Sequence, residues 1–214
     1  HITWLHGLKF DHALLKETLD EYITSLENYV AKLERLDKRI EEFAQGDKYQ
    51  EKAAELGCLL GIKTQAAMTM MSEISDFSRF RTASEFASFL GLVPGENSSG
   101  EKTQRTSITK SGNSQCRKTL IEAAAGICRG KVGHKSKELM RRQALCNNPI
   151  AISYADRANE RLRSKFYRLN LRNGKPANVA KTAVARELAC FIWGIMTDTY
   201  NGKVPRNDEY ALGK

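Results

Sequence analysis

Apolar side chains recur with a coiled-coil spacing along the first quarter of the chain. The steps between them alternate between four and three residues without a break, at Leu15, Leu19, Tyr22, Leu26, Tyr29, Leu33, Leu36, Ile40 and Phe43. This spacing places one apolar stripe, the seam, along a helix whose other positions are mostly polar. We predict one long helix over residues 11–45, with Asp11 as its N-cap and Gly46-Asp47 as its stop.

The partner of this seam is left open by the pattern. A second helix, predicted from about Asp47 to Leu60, could fold back on the first as a hairpin. The alternative is a dimerisation arm, in which the seam packs on another copy and the chain forms a homo-oligomer. A heptad pattern does not say which helix fills the seam.

The last third of the chain also has helical patterns. Residues 156–171 predict an arginine-rich helix, which the run 173–176 breaks. Pro176 begins a further helix, and its buried stripe is predicted at Ala180, Val184, Phe191 and Ile195. Glu187 falls on that stripe, so it needs a partner, such as an arginine, if it is buried. The predicted fold class is mainly α: a coiled-coil helical arm followed by a compact α-helical domain with a short irregular or extended loop region.

Charge is distributed unevenly along the chain, and the excess of basic residues in the second half indicates a kind of partner. The net charge is +9, yet residues 1–60 carry 8 Lys/Arg against 12 Asp/Glu, and residues 101–175 carry 18 against 5. An excess of +13 over 75 residues favours a polyanionic partner, most simply nucleic acid. We predict phosphate contacts from Arg161 and Arg168, because arginines repeat along that helix.

The cysteines and the apolar runs bear on the cellular compartment of the protein. Five cysteines are scattered without Cys-x-x-Cys spacing, which is typical of reduced thiols and of neither a disulfide framework nor a zinc site. The longest apolar run, 189–196, is too short to span a bilayer. These features predict a cytoplasmic protein without a membrane partner. Because the chain begins at His1, it is expected to be a piece of a longer protein.

The middle of the chain contains a glycine turn between two predicted helices and a run rich in turn-forming residues. The turn Leu60-Gly61-Ile62 between two predicted helices resembles the hairpin of a helix-hairpin-helix unit, but a structural corner is the simpler prediction. The run 94–100 is rich in turn formers and predicts an exposed loop after a helix that ends near Leu92. Beyond it, residues 108–113 predict a short extended piece and a turn into a helix over 117–127. Glu73 and Asp76 could bind a metal, but pairing with Arg79 is the simpler prediction.

The order of motifs in this region carries a family resemblance. Four pieces occur in sequence: Glu73-Ile-Ser-Asp76 with Arg79-Phe80, Gly91-Leu-Val-Pro94, Ser99-Gly100, and Ile108-Thr-Lys-Ser-Gly-Asn113. Over roughly residues 56–200 the chain resembles the insertion-sequence transposases that join an N-terminal Asp-Glu-Asp-Asp resolvase-like domain to a serine-bearing domain. This family usually has a proline and a second glycine where this chain has Leu60 and Lys63. The predicted domains are then a coiled-coil linker over 1–57, a transposase catalytic domain over 58–200 and a tail over 201–214.

The resemblance implies specific chemistry. Ser99 is the expected nucleophile for DNA strand cleavage and exchange, because the family's serine stands immediately before glycine. Ser98 is the alternative. The expected nucleic-acid-binding residues are Gly100, Lys102, Arg105, Lys110, Asn113, Arg117 and Lys118, together with Arg161 and Arg168. Family members are expected to bind DNA and a bridging guide RNA.

No cofactor is expected in this chain itself, because the resemblance puts the Mg²⁺-binding carboxylates in the N-terminal resolvase-like domain. Without the resemblance, Ser98-Ser99-Gly100 is typical of a plain loop. The alternative function is therefore a non-catalytic nucleic-acid-binding module with a coiled-coil dimerisation arm, and a coiled-coil assembly scaffold is a third. Trapping a covalent adduct with DNA separates the first function from the other two.

Overall fold

A computed structural model of the chain describes residues 1–97 and 105–200, and it is mainly helical, as predicted. Two compact units are present, residues 1–43 and the chain from Ala44 onward. The elements are α1 (Ile2–His6), α2 (Ala13–Ala44), α3 (Gln50–Gly57), α4 (Thr64–Ile74), α5 (Ala83–Phe89), β1 (Pro94–Glu96), β2 (Arg105–Ile108), α6 (Ser114–Ile127), α7 (Lys137–Ala144), α8 (Pro149–Tyr167), a π-helical turn (Arg168–Arg172) and α9 (Ala177–Met196).

The long helix of the first unit confirms the heptad prediction. Helix α2 runs for 32 residues and ends just before Gly46-Asp47. It begins at Ala13, so His12 rather than Asp11 is the residue that precedes it. Helix α1 contacts α2, with the His6 ring nitrogen 3.0 Å from a Glu27 carboxylate oxygen.

The seam of α2 is largely exposed. Tyr22 is 72% exposed and Leu33 60% exposed. The second helix, α3, is shorter than predicted at eight residues. At 1.5 Å per residue, it rises about 12 Å, against about 42 Å for a seam from Leu15 to Phe43. Helix α3 is therefore too short to cover the seam.

The second unit is built around α9. This helix packs against α5, α6 and α8, and its predicted stripe of Ala180, Val184, Phe191 and Ile195 is buried. Pro176 stands at its N-cap position, as the break in the sequence predicts. The aromatic ring of Tyr154 meets Phe191 edge-on, with ring centroids 5.4 Å apart. The prediction of a central core helix is confirmed.

The turn at Gly61 is a corner fixed to the core. Gly61 has a φ of 79° between α3 and α4, and a Cβ there would overlap the backbone of Ala123. The side chain of Asn159, itself buried, accepts a hydrogen bond from Leu60 N at 2.7 Å and donates one to the Cys58 carbonyl at 3.1 Å. These contacts account for the glycine structurally, while phosphate binding at this turn stays a prediction.

Several boundaries differ from the sequence prediction. Pro94–Glu96 form a strand rather than a loop, because β1 pairs antiparallel with β2. Pro94 opens this strand, a position where its missing N–H is tolerated. Helix α5 ends at Phe89 rather than near Leu92, since Gly91 takes a φ of 65°. Helix α8 begins at Pro149 rather than 156, because Asn148 accepts hydrogen bonds from the amides of Ile150 and Ala151.

All five cysteines are buried free thiols. Among the described residues, none of the helices combines the length and hydrophobicity that crossing a membrane requires.

Candidate nucleic-acid interface

The predicted nucleophile belongs to the chain that joins β1 to β2. Ser99, Gly100 and Lys102 lie outside the described residues. The strands on either side are described: Pro94 pairs with Ile108 and Glu96 with Arg105. Between these two pairs the chain advances by two positions on β1 but by three on β2, so the pairing contains a β-bulge of one extra residue. Both ends of the serine-bearing segment are therefore held by the same two-stranded ribbon.

The loop after β2 locks onto the end of α5. Thr109 N donates to the Val93 carbonyl at 3.0 Å, and Lys110 N donates to the Gly91 carbonyl at 3.2 Å. Two glycines allow this approach. A Cβ on Gly91 would overlap the backbone of Ser111, and a Cβ on Gly112 would overlap the carbonyl oxygen of Phe89.

The side chain of Arg117 binds the backbone of this loop and of the end of α5, and does not project freely into solvent. Its half-buried guanidinium donates through Nη1 to the Leu90 carbonyl at 3.0 Å and to the Ser111 carbonyl at 2.9 Å. Lys118, the next residue on α6, is exposed. Of the two predicted contacts, Arg117 has a positioning role in the fold, and Lys118 presents its charge to solvent.

Asn113 connects two of the motifs and was expected only to bind nucleic acid. Its side-chain oxygen accepts a hydrogen bond from Cys116 N at 2.8 Å, which caps α6. Its side-chain nitrogen donates to the Glu73 carboxylate at 2.7 Å. The cap could have been predicted, because asparagine before a helix is a standard N-cap. The link to Glu73, 40 residues away, has no signal in the spacing of the sequence.

Lys110 stands at the exposed edge of the same loop. It has a φ of 56°, an uncommon backbone conformation for a residue with a side chain. The glycine-bounded docking of the loop on α5 holds this conformation and places an exposed cation immediately after β2. Lys110 therefore lies beside the β-ribbon, and the side chain of Arg105 lies outside the described part of the structure.

The predicted pairing with Arg79 is confirmed only in part, for Asp76, and there Arg79 is a minor partner. Glu73 bonds to Asn113, and hydrogen bonds from Ser78 lower the pKa of Asp76 below its ordinary value, with a smaller effect of Arg79. The Arg79 guanidinium stacks 4.7 Å from the ring centroids of Phe80 and Phe89. Within residues 1–97 and 105–200, no group of three or more His, Cys, Asp or Glu side chains could hold a metal ion.

A second basic surface lies between α8 and α9. Glu187 is buried there and, as predicted, paired with an arginine: Arg161 donates to one carboxylate oxygen, and Lys165 donates to the other at 2.6 Å. Arg161 is thus held at a buried carboxylate, whereas Arg168, at the start of the π-helical turn, is exposed. The two predicted phosphate contacts therefore stand in different environments.

This second surface is a groove of about 770 Å³. We call it the α8–α9 groove, and its lining residues are Val132, Arg161, Ser164, Lys165, Tyr167, Arg168, Arg172, Arg186, Glu187 and Cys190. Five cations and one carboxylate give this lining a net charge of +4.

The region with the β-ribbon is similar to a known class of enzyme. Residues 53–140 match the family described as Transposase IS116/IS110/IS902, from within α3 to within α7. That span contains Glu73, the Ser99-Gly100 segment and the docked loop through Arg117.

Individual relatives extend the similarity over most of the chain. The chain is 33% identical over 195 residues to a Sinorhizobium fredii protein named transposase y4qE, covering 91% of this chain and 46% of that protein. It is 27% identical over 187 residues to the family 20 transposase of Pseudomonas aeruginosa, covering 86% of this chain and 45% of that protein. Over 77 residues it is 34% identical to the transposase for insertion sequence element IS1533 of Leptospira borgpetersenii, covering 36% of this chain and 22% of that one. The chain spans less than half the length of each of these relatives.

Proposed function

We propose that this chain is the serine-bearing part of an insertion-sequence transposase, which binds DNA and a guide RNA and uses Ser99 to cleave and rejoin DNA strands. The observation that carries the proposal is the match of residues 53–140 to a transposase family. This match includes the Ser99-Gly100 segment and the glycine-locked loop beside it. The loop that follows β2 is held in place by Arg117, Gly91 and Gly112.

The proposed reaction is a transesterification. The Ser99 hydroxyl oxygen attacks a backbone phosphorus and loses its proton, and a deoxyribose oxygen leaves with the bonding electrons and takes up a proton as a free hydroxyl. One phosphodiester bond is thus exchanged for one phosphoserine ester bond. A DNA hydroxyl later attacks the same phosphorus and releases the serine. The exchange conserves the number of ester bonds, and rejoining needs no external energy source.

Residues near the segment are suited to this chemistry. Gly100 leaves room for a bulky phosphodiester to approach the hydroxyl. Exposed cations such as Lys110 and Lys118 offset the negative charge that collects on the phosphoryl oxygens in the transition state. A serine hydroxyl also needs a base or a metal to activate it. In the proposal, Mg²⁺ would be held by carboxylates of an N-terminal resolvase-like domain and would supply that activation.

The arm belongs to the same proposal. We infer that the exposed seam of α2 pairs with the seam of a second copy, because α3 is too short to cover it. Strand exchange between two DNA ends needs two cleavage sites held together, and a paired arm supplies that connection.

Mutation of the two adjacent serines tests the nucleophile. In the full-length protein with its RNA, Ser99→Ala is expected to abolish recombination while DNA binding and thermal stability stay close to wild type, because one hydroxyl contributes little to folding. Ser98→Ala is the matched control and should retain activity. Reversal of the two results moves the nucleophile to Ser98, and full activity in both variants rejects the serine mechanism in favour of a nucleic-acid-binding module.

A further inference from the structure

The α8–α9 groove combines cationic, aromatic and aliphatic surface. Its cations repeat along one face of α8 and the π-helical turn, at Arg161, Lys165, Arg168 and Arg172, and Arg186 faces them from α9. Tyr167 and Val132 add an aromatic and an aliphatic surface to the same concavity. Its volume falls within the range of about 300–1,000 Å³ that is usual for small-ligand sites.

The base of the groove is preorganised. Glu187 is 7% exposed and binds both Arg161 and Lys165, so these two cations are fixed in direction. Within the described residues, Arg168, Arg172 and Arg186 make no side-chain hydrogen bond or ion pair. Three cations are therefore available to an incoming anion, above a base in which one carboxylate already binds two other cations.

The aromatic wall is also rigid. The Tyr167 hydroxyl donates to the Gly130 carbonyl at 2.9 Å, and its ring packs edge-on against Phe166 with centroids 6.0 Å apart. Directly after Tyr167 the helix changes to a π-helical turn, closed by the hydrogen bond from Asn173 N to the Arg168 carbonyl at 3.0 Å. Such turns are rare in proteins and are frequent at functional sites.

These features suit an unpaired nucleotide better than a duplex. A duplex keeps its bases stacked inside and presents phosphates along a wide, regular surface, which needs cations but neither a cavity nor an aromatic wall. Single strands are bound by a positive groove together with aromatic side chains on which bases stack. The α8–α9 groove has both, and its cavity is of small-ligand size rather than duplex size.

We propose that the α8–α9 groove holds an unpaired nucleotide of a single-stranded nucleic acid, with the base against Tyr167 and Val132 and the adjoining phosphates on Arg168, Arg172 and Arg186. This inference rests on the proposed function, since it takes nucleic-acid binding by the chain as given. It adds the position of the site and the strandedness of its ligand.

Anisotropy titrations of the 214-residue chain test the base-binding wall. The probes are a labelled RNA of about 12 nucleotides, a length within the usual range for single-strand sites, a DNA strand of the same sequence and the matching DNA duplex. Tyr167→Leu is expected to weaken single-strand binding by about tenfold through loss of stacking, while duplex binding stays unchanged. Tyr167→Phe keeps the ring and should bind within about twofold of wild type. Equal effects of Tyr167→Leu on strand and duplex, or none on either, overturn the proposal.

A pair of charge-matched variants tests the rim. Arg168→Gln with Arg172→Gln should weaken single-strand binding and lower the salt dependence by about 0.7 in log–log slope for each phosphate that is no longer neutralised. Lys137→Gln with Arg141→Gln removes the same charge from exposed positions of α7 and should change the slope far less. An equal decrease in affinity in the two double variants overturns the groove as the site.

Photochemical crosslinking uses the wild-type chain, so its result does not depend on whether a variant folds. A strand carrying 5-iodouracil should crosslink to the wild-type chain at Tyr167, and peptide mass spectrometry reads the position. Crosslinks only outside the groove overturn the proposal. Preference for the RNA or the DNA probe assigns the occupant to a guide or to a DNA strand, and either supports it. If the wild-type chain binds none of the probes, the proposed nucleic-acid function is wrong. If it binds them with an affinity that the groove substitutions do not change, only the groove proposal is wrong.

Discussion

Single buried polar side chains fix loops in this fold that the hydrophobic core does not reach. Arg163 is 6% exposed, and its guanidinium donates to the carbonyls of Ile127, Lys131 and His134. Ile127 is the last residue of α6, so the cation also meets the negative end of a helix dipole. The loop that carries Val132 to the α8–α9 groove is held in this way.

Replacing this arginine should therefore destabilise the whole unit. Arg163→Met keeps much of the aliphatic volume but removes the hydrogen bonds of the guanidinium to three carbonyls, of which those of Ile127 and Lys131 also accept a backbone N–H. We expect a decrease of about 3 kcal/mol in the free energy of unfolding. Arg157→Met is the control, because Arg157 is on the same helix and is more accessible to solvent, so it should change stability by under about 0.5 kcal/mol. Urea denaturation measures both, and equal stabilities would contradict the role given to Arg163.

The buried thiols give a prediction about pH. Burial raises the pKa of Cys58, Cys116 and Cys190 to about 12 from an ordinary value of 9.0. In the unfolded chain these thiols ionise near pH 9 while the folded chain keeps them protonated, so stability is full below pH 9 and falls as the pH rises toward 12. Thermal melts from about pH 7 to about pH 11 should show this fall, and a flat profile would contradict it.

Thiol labelling checks the same burial at about pH 8, just below the ordinary thiol pKa. Iodoacetamide should modify Cys58, Cys116 and Cys190 only after unfolding, because their thiolate populations in the folded chain are very small. Fast labelling of Cys190 in the native chain would show that the floor of the α8–α9 groove is open to solvent.

At the scale of elements, long periodic patterns of apolar residues predicted helices correctly, whereas local composition did not predict the short strand. The seam predicted α2 within two residues at its start, and the stripe of α9 was correct at all four positions. The strand at Pro94–Glu96 was not predicted because turn-forming residues dominate its composition, while its pairing depends on β2, a partner that the spacing does not reveal. The π-helical turn after Tyr167 was not predicted either, since its residues continue an ordinary helical pattern.

The candidate site was also predictable only in part from the sequence. Family motifs indicated the loop of Lys110 and Asn113, but spacing alone could not reveal that Asn113 bonds Glu73 or that Arg117 binds backbone carbonyls. Both are long-range interactions set by how α4, α5 and α6 pack. The groove between α8 and α9 likewise depends on helix packing, although the pairing of Glu187 with an arginine followed from its place on a buried stripe.

The exposed seam of α2 predicts self-association. Leu26→Lys with Leu33→Lys puts two charges into the seam, so sedimentation velocity should show a dimer converted to a monomer. Thr24→Lys with Ala31→Lys is the matched control: it adds the same charge at the same spacing on exposed positions outside the seam and should remain dimeric. A wild-type chain that stays monomeric at high micromolar concentration would contradict the arm's role.

At the scale of the whole molecule, acidic and basic residues are separated along the chain. The first 60 residues have 4 more acidic than basic residues, whereas residues 101–175 carry an excess of 13 basic ones. The first unit is suited to assembly through its seam, and the second to polyanions through the loop beside β2 and the groove beside α9. The proposed function and the proposed groove site thus use two surfaces of the same unit.

The central claim is that Ser99 becomes covalently joined to DNA, and a suicide substrate tests it most directly. A DNA strand nicked just beyond the cleavage point releases a short fragment after attack, which prevents rejoining and traps the phosphoserine on the full-length protein. The account predicts a protein–DNA adduct that survives denaturation, maps by mass spectrometry to the peptide containing Ser99 and disappears in Ser99→Ala but not in Ser98→Ala. Cleavage without any adduct, or an adduct on another residue, would contradict it.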